Sequence, residues 1–242
     1  HRDIVLDSAF LNAMLFANGF QTTQIGIGNN LLIKPWIEWA VRLNKSFVVR
    51  RDGGVREQLL ISKHMSAYMR YVLTQVNESI WIAQREGRAK DGNDVTQPGV
   101  LKMLTIDSEN FFESIKQLNI CPVCISYEYD PCDYLRAREM QLKRDKPNWK
   151  KSRKDDLVSM SVGIKEQKGR VIYRLTPSIN HEIDEALAQN PALLQLSRNE
   201  QIQFVCNLID RHIHAAYEIY ERGEQFDRYI EGQLAKINLS NK

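Results

Sequence analysis

The chain opens His1-Arg2-Asp3-Ile4-Val5-Leu6-Asp7, an imidazole and two carboxylates within seven residues, directly ahead of a helical pattern expected from Ser8. An imidazole held by a carboxylate is a general base, because the carboxylate fixes the tautomer and stabilises the imidazolium once a proton is taken. An aspartate ahead of a helix is equally a common cap. On spacing alone the segment therefore reads as a His-Asp dyad or as a loop histidine beside a capping aspartate. A second group is Ser46-Phe47-Val48-Val49-Arg50-Arg51, a strand pattern that ends in two guanidiniums and the turn Gly53-Gly54. Guanidinium forks match phosphate oxygens, and open α/β sheets bind ligands at the carboxyl ends of their strands. The alternative is a solvated pair at a strand end.

A third group runs from the apolar Ile80-Trp81-Ile82 into a loop where Glu86, Arg88 and Lys90 crowd around Gly87. Strand after strand ending in basic or acid/base groups implies convergence at one sheet edge. The fourth segment, Ile120-Cys121-Pro122-Val123-Cys124-Ile125-Ser126-Tyr127-Glu128, opens with an apolar run that has no polar alternation. That suits a strand covered on both faces, and Pro122 implies an edge position or bulge beside a pocket.

The elements that must position these groups follow from periodicity. Strands are expected over 23–27, 46–51, 79–83, 120–126 and 170–175, separated by longer amphipathic runs. Residues 55–76 carry Leu59, Leu60, His64, Ala67, Tyr68, Tyr71 and Val72 at helical spacing, and 107–118 read as a helix leading into the fourth strand. After Pro177-Ser178 the pattern is helical, punctuated by Asn190-Pro191 and Gly223. The expected fold is α/β: a mixed, mostly parallel sheet flanked by helices over 1–176, with a helical C-terminal extension of the same domain over 177–242. The opening at His1 reads as the middle of a fold, so the chain is expected to be a piece of a longer protein.

Composition bounds the function. With 242 residues, 43% hydrophobic and 26% charged, the chain is ordinary globular protein, which excludes collagen, low-complexity disorder and a disulfide scaffold. A net charge of 33 − 30 = +3 is too mild for a dedicated nucleic-acid binder, so no nucleic-acid partner is expected. The surplus is local: over 141–154, Lys143, Arg144, Lys146, Lys150, Lys151, Arg153 and Lys154 face Asp145 alone, with Trp149 among them. Anionic headgroups, the phosphates of coenzyme A and plain solvation each suit that pattern. The four cysteines are expected as buried thiols in a reducing compartment, and His212 and His214 are poorly spaced to complete a zinc set with Cys121 and Cys124, so no metal is expected. No apolar stretch approaches the ~20 residues that span a bilayer.

Taken in order, the four segments resemble the four sequence blocks of the glycerolipid acyltransferase superfamily over roughly the first 130 residues. His1 with Asp7 resembles the opening block, Phe47 to Arg51 the second and Glu86-Gly87-Arg88 the third. Ile-x-Pro-Val followed by Ile-Ser-Tyr-Glu resembles the glycerol-3-phosphate and dihydroxyacetone-phosphate branch. Five residues separate His1 from Asp7 where the family has four, and Arg88 follows Gly87 without the usual residue between them. Asp3 is the alternative partner of His1, with Asp7 preferred because it abuts the helix start.

The resemblance implies transfer of an acyl chain from acyl-CoA or acyl carrier protein to a hydroxyl of glycerol-3-phosphate, lysophosphatidate or a similar acceptor, with no further cofactor. His1 would be the base and Asp7 its orienter, while Arg50, Arg51, Arg88 and Lys90 would hold the acceptor phosphate and Glu86, beside Gly87, would accept from an acceptor hydroxyl or orient an arginine. The product stays in a bilayer, so a peripheral position at the cytoplasmic face of the membrane is expected. An aminolipid or other lysolipid acceptor, or a non-catalytic membrane-surface module, are the competing readings. Should the basic segment meet anionic lipid, vesicle binding will rise with anionic fraction and fall with salt, since the potential is screened over ~8 Å at physiological ionic strength. Replacing Lys150, Lys151 and Lys154 by Glu will then weaken vesicle sedimentation and spare turnover on a detergent-dispersed acceptor; lost turnover with a raised donor KM assigns the cluster to coenzyme A.

Overall fold

The chain Gln-Ile-Gly-Ile-Gly forms β1 (Gln24–Gly28), the middle strand of a three-stranded sheet with β2 (Ser46–Val49) and β3 (Ile80–Trp81) on either side, both parallel to it. The computed structural model that carries these strands describes residues 3, 5–29, 32, 39, 42–50, 54–85, 87, 95–221 and 224–240. Gly26 is glycine for a steric reason. A Cβ there would lie 3.1 Å from Phe47 Cζ, so its absence lets the Phe47 ring cross β1 and meet Tyr68 edge-on at 5.3 Å.

Ahead of the sheet runs α1 (Leu6–Ala17), which begins two residues before Ser8 because Asp3 Oδ1 accepts from the Val5 and Leu6 N–H groups, each at 2.8 Å. The chain reverses at Gly19, whose φ of +78° suits glycine. Asn12 then clamps the return: its Oδ1 accepts from Thr23 N and Oγ1, both at 2.9 Å, and its Nδ2 donates to Thr23 O. Thus β1 starts beside the middle of α1.

Parallel neighbours require a crossover, and between β2 and β3 it is α2 (Val55–Tyr71), which runs on into one π-helical turn, Val72–Val76. The helix lies where its period predicts, but its buried side does not. Leu59, Leu60, Tyr68 and Tyr71 are exposed, whereas Ser66, Met69 and Val72 are buried. The apolar residues on this helix go nearly all round it, so the period alone does not select the face that packs.

The fourth predicted strand is β4 (Val123–Tyr127), which pairs antiparallel with β5 (Val171–Leu175). The fold is α/β, with parallel and antiparallel pairing divided between two sheets. β4 starts later than 120 because Pro122 has no N–H to give the ladder; its carbonyl accepts instead from Thr176 N and Oγ1 at 2.9 Å each. The expected strand 79–83 is shorter as well, ending at Trp81.

One core joins the halves. It is built from Leu101 and Leu104 of α3 (Pro98–Leu104), from Phe111, Phe112, Ile115 and Leu118 of α4 (Phe111–Leu118), and from Cys124 of β4. The expected helix 107–118 begins only at Phe111, where Asn110 caps it by accepting from Glu113 N. Two further helices follow β5: α7 (Asn180–Gln189), with Ile183, and α8 (Arg198–Ala215), with Ile202, Val205, Cys206, Ile209 and Ile213 on one stripe. Burial of such a side chain stabilises by about 1.5–3 kcal/mol each, so α7 and α8 of the expected extension build the core and do not merely hang from it. Between β4 and β5 lie α5 (Asp133–Asp145) and α6 (Arg153–Lys165), and the final helix, α9 (Glu224–Ser240), packs on α5 through Tyr229, which stacks on Tyr129 at 4.6 Å.

The cysteines are free; Cys124, Cys132 and Cys206 are buried, but Cys121, ahead of the strand, is exposed. The basic segment is less positive than its count. Lys143 pairs with Glu139, Arg144 with Asp145 and Lys151 with Asp156, two of those acids lying just outside the window 141–154. Lys146, Lys150 and Lys154 are exposed. Among the described residues no helix is long and apolar enough to cross a membrane.

Gly163 in α6 lies directly under Asp3: a Cβ there would overlap the Asp3 carboxylate. A helix-interior Gly→Ala change normally stabilises by about 0.8–1 kcal/mol. Here Gly163→Ala is expected to destabilise by about 1–3 kcal/mol, read by denaturant unfolding, because it displaces the cap of α1.

Candidate functional site

The alternation of β4 sends Cys124 and Ser126 toward the core and Ile125 and Tyr127 to the opposite face. On β5, Tyr173 lies opposite Ile125 and so stands on the same face, one pair along from Tyr127. These two phenols close over the first turn of α1. Tyr127 Oη donates to Asp7 Oδ1 at 3.1 Å, and Tyr173 Oη donates to the Asp7 main-chain oxygen at 2.8 Å. Asp7 is 1% exposed, and Asp3 is buried beside it, its Oδ1 occupied by the N–H groups that start the helix. The two aspartates thus divide the work that their spacing left ambiguous: Asp3 caps, and Asp7 takes a side-chain donor from a strand 120 residues away.

Burial pushes the Tyr127 hydroxyl far above the usual phenol range, with the nearby Asp7, Tyr173 and Asp3 adding to it. Tyr173 is raised in the same sense, by burial first and then by Asp7. Both phenols therefore stay protonated as donors across the physiological range. A carboxylate removed from water and held by a hydroxyl is suited to fix and stabilise a cationic ring that shares it.

The rest of the segment 125–128 is committed to the fold. Ser126 Oγ accepts from Glu218 N at 3.0 Å, and the Glu128 carboxylate takes Arg170 N at 2.8 Å and Nε at 3.1 Å, which holds it below the usual carboxylate range.

Of the sequence-predicted site residues, Asp7, Arg50 and Gly87 fall in the described structure; His1, Arg51, Glu86, Arg88 and Lys90 lie outside the described residues. Arg50 is exposed directly after β2, and Gly87, with φ of +72°, lies in the loop after β3. Since β2 and β3 run parallel to β1 on either side of it, their carboxyl ends point toward the same end of the sheet.

Tyr127 was visible as part of a motif but not as the partner of Asp7, and Tyr173 carried no expected role. The available signal was a phenol on the apolar face of each of two strands; which strands pair, and over which helix, is not local information. Among the described residues no group of His, Cys, Asp or Glu could hold a metal ion, and His212 is engaged by Glu182 across α7 and α8. A groove of about 430 Å³ lies elsewhere, lined by Ser66, Arg70, Asp107, Asn110, Glu113 and Ser114, with no contribution from α1, β4 or β5. Its one guanidinium is spent on Leu104 O, Ser114 Oγ and Gln117 Oε1.

Comparison with models of known protein families and with curated proteins gives no match for this chain.

Removing the Tyr173 hydroxyl, as in Tyr173→Phe, should lower stability by about 1 kcal/mol, the net worth of one buried hydrogen bond, in denaturant unfolding. Because the folded-state value of Tyr173 is raised, its contribution is complete below the unfolded phenol value of about 10 and is lost as pH climbs above it. The fall of stability with pH on the alkaline side should therefore be shallower in Tyr173→Phe than in the parent.

Proposed function

We propose that the protein is an O-acyltransferase that moves a fatty acyl chain from an acyl thioester to a hydroxyl of a glycerol-phosphate-like or lysolipid acceptor. The observation that carries this reading is the buried Asp7 carboxylate, presented at the first turn of α1 and gripped by Tyr127, six positions after His1. His1 takes the proton from the acceptor hydroxyl as its oxygen attacks the thioester carbonyl, and Asp7 orients and stabilises the resulting imidazolium. The C–S bond then breaks, the ester remains, and the departing thiolate recovers the proton from His1. General-base help of this kind is worth ~10²–10⁴-fold, with positioning supplying much of the remainder.

The acceptor phosphate belongs to the end of the sheet toward which β2 and β3 both run. In sequence, Arg50 and Arg51 follow β2, and Glu86, Gly87, Arg88 and Lys90 come after β3. Support for the class comes also from the order of the four segments, which matches the glycerolipid acyltransferase blocks noted above.

The donor is acyl-CoA or acyl carrier protein, and the protein works at a membrane surface, at its cytoplasmic face. Two features favour lipid contact. Lys146, Lys150 and Lys154 are exposed, and residues 8–33 contain no charged side chain while Phe16 and Phe20 stand 76% and 65% exposed.

The test is incubation of the full-length protein with labelled acyl-CoA and acyl carrier protein against glycerol-3-phosphate and a panel of lysolipids. Transfer is expected in the parent and lost in His1→Ala without loss of the fold. Asp7→Asn should cost less than His1→Ala and far more than Asp3→Asn, and activity of His1→Ala within about threefold of the parent would sink the base. Replacing Arg51 or Arg88 should raise acceptor KM or lower kcat/KM by the equivalent of about 1.5–3 kcal/mol with donor KM nearly unchanged. A loss confined to the donor would reassign them to coenzyme A.

A further inference from the structure

Asp7 is fixed by more than its place on α1. A carboxylate on a helix has two side-chain rotations, and burial alone leaves the second of them unset. Here the phenol of Tyr127 reaches Oδ1 at 3.1 Å from the last residue of β4, so the plane of the carboxyl group is set by a strand in a different sheet from β1. Tyr173 contributes differently. Its hydroxyl goes to the main-chain oxygen of Asp7, 2.8 Å away, and so holds the helix turn without touching the carboxylate.

The pair therefore separates two tasks that usually coincide, docking a helix and aiming its side chain. We propose that Tyr127 is a positioning residue for the reaction: its hydroxyl sets the orientation in which Asp7 meets the imidazole of His1, whereas the hydroxyl of Tyr173 chiefly seats the helix that carries it. This rests on the reading of Asp7 as the orienter of the base. A base whose ring is free to turn spends less time in line with the acceptor hydroxyl, so a loss of aim appears in turnover and not in binding. Removal of the phenolic oxygen also leaves Asp7 with one fewer donor in a site closed to water, which weakens its hold on the imidazolium at the moment of proton transfer.

The arrangement makes a prediction that a purely structural tyrosine does not. Tyr127 matters only through the carboxylate it holds, so its hydroxyl should count for little once that carboxylate is gone. In the full-length protein, with acyl-CoA and whichever acceptor the panel identifies, Tyr127→Phe should lower kcat about ten- to a hundredfold, the kinetic equivalent of a hydrogen bond to a charged group, with both KM values within about twofold of the parent. Placed on Asp7→Asn, the same change should cost less than about twofold.

Tyr173→Phe is the comparison for the fold: it should lose more stability than turnover, the reverse of Tyr127→Phe. Thermal unfolding of each variant checks that the ring substitutions leave the protein folded, and Asp7→Asn, which keeps the shape of the side chain, supplies the second route to the same coupling. Equal losses from Tyr127→Phe in the parent and in Asp7→Asn would overturn the proposal, as would a loss carried by acceptor KM, which would make Tyr127 a binding residue. A parent that transfers no acyl group removes the enzyme reading and this role together. An active parent with Tyr127→Phe at the parental rate removes the positioning role alone.

Discussion

An aspartate withdrawn from water has to be given partners by the protein, and in this fold that requirement fixes where α1 can sit. Isolated burial of a carboxylate is so costly that the group would otherwise protonate or move to the surface. Asp7 avoids that through Tyr127, whose own burial keeps its proton in place and therefore keeps it a donor. The consequence spreads outward. The first turn of α1 is pinned to the β4–β5 ladder, Asn12 pins the middle of the same helix to the start of β1, and the two sheets are thereby referred to one another through a single helix.

The opposite side of that turn is set by a different contact. Asp3 lies against Gly163, where only a missing side chain leaves room, so α6 approaches the cap of α1 as closely as backbone and carboxylate allow. Asp7 and Asp3 are thus held by β4 with β5 through paired polar contacts and by α6 through a steric one. Such a site tolerates little repacking, since volume and hydrogen bonding both resist adjustment.

Much of this was legible in the sequence, and the limits are instructive. The five strands and the helix at 55–76 follow from β-branched runs and a 3.6-residue period, signals that tertiary structure here does not override. Boundaries moved where a local hydrogen bond outcompeted the pattern: Asn110 delayed α4 to Phe111, Asp3 advanced α1 to Leu6, and Pro122 withheld the ladder bond that would have begun β4 at residue 120. The face of α2 was not legible, because apolar residues lie on most of its circumference and only packing chooses among them. The basic segment read as more positive than it is, since a window cut at 141 and 154 hides Glu139, one helical turn from Lys143, and Asp156, the partner of Lys151 ahead of α6. Asp7 was legible as a candidate from its neighbours in the chain, whereas its hold by Tyr127 was not, because nothing in either local segment tells which strands pair.

That last separation has a kinetic meaning. The contacts that complete the site link Asp7 to residues 120 and 166 positions further along, so they close some of the longest loops in the molecule. Loop closure on that scale is entropically late, and contacts of high sequence separation form slowly relative to the local turns of α1 or α8. The turns of α1 are local, but its aspartate meets Tyr127 only across 120 positions, and the turn beneath it is seated only once β5 has joined β4. The seating of Asp7 is accordingly completed late, and a nascent chain that has not yet reached residue 173 lacks the hydroxyl that holds the first turn of α1.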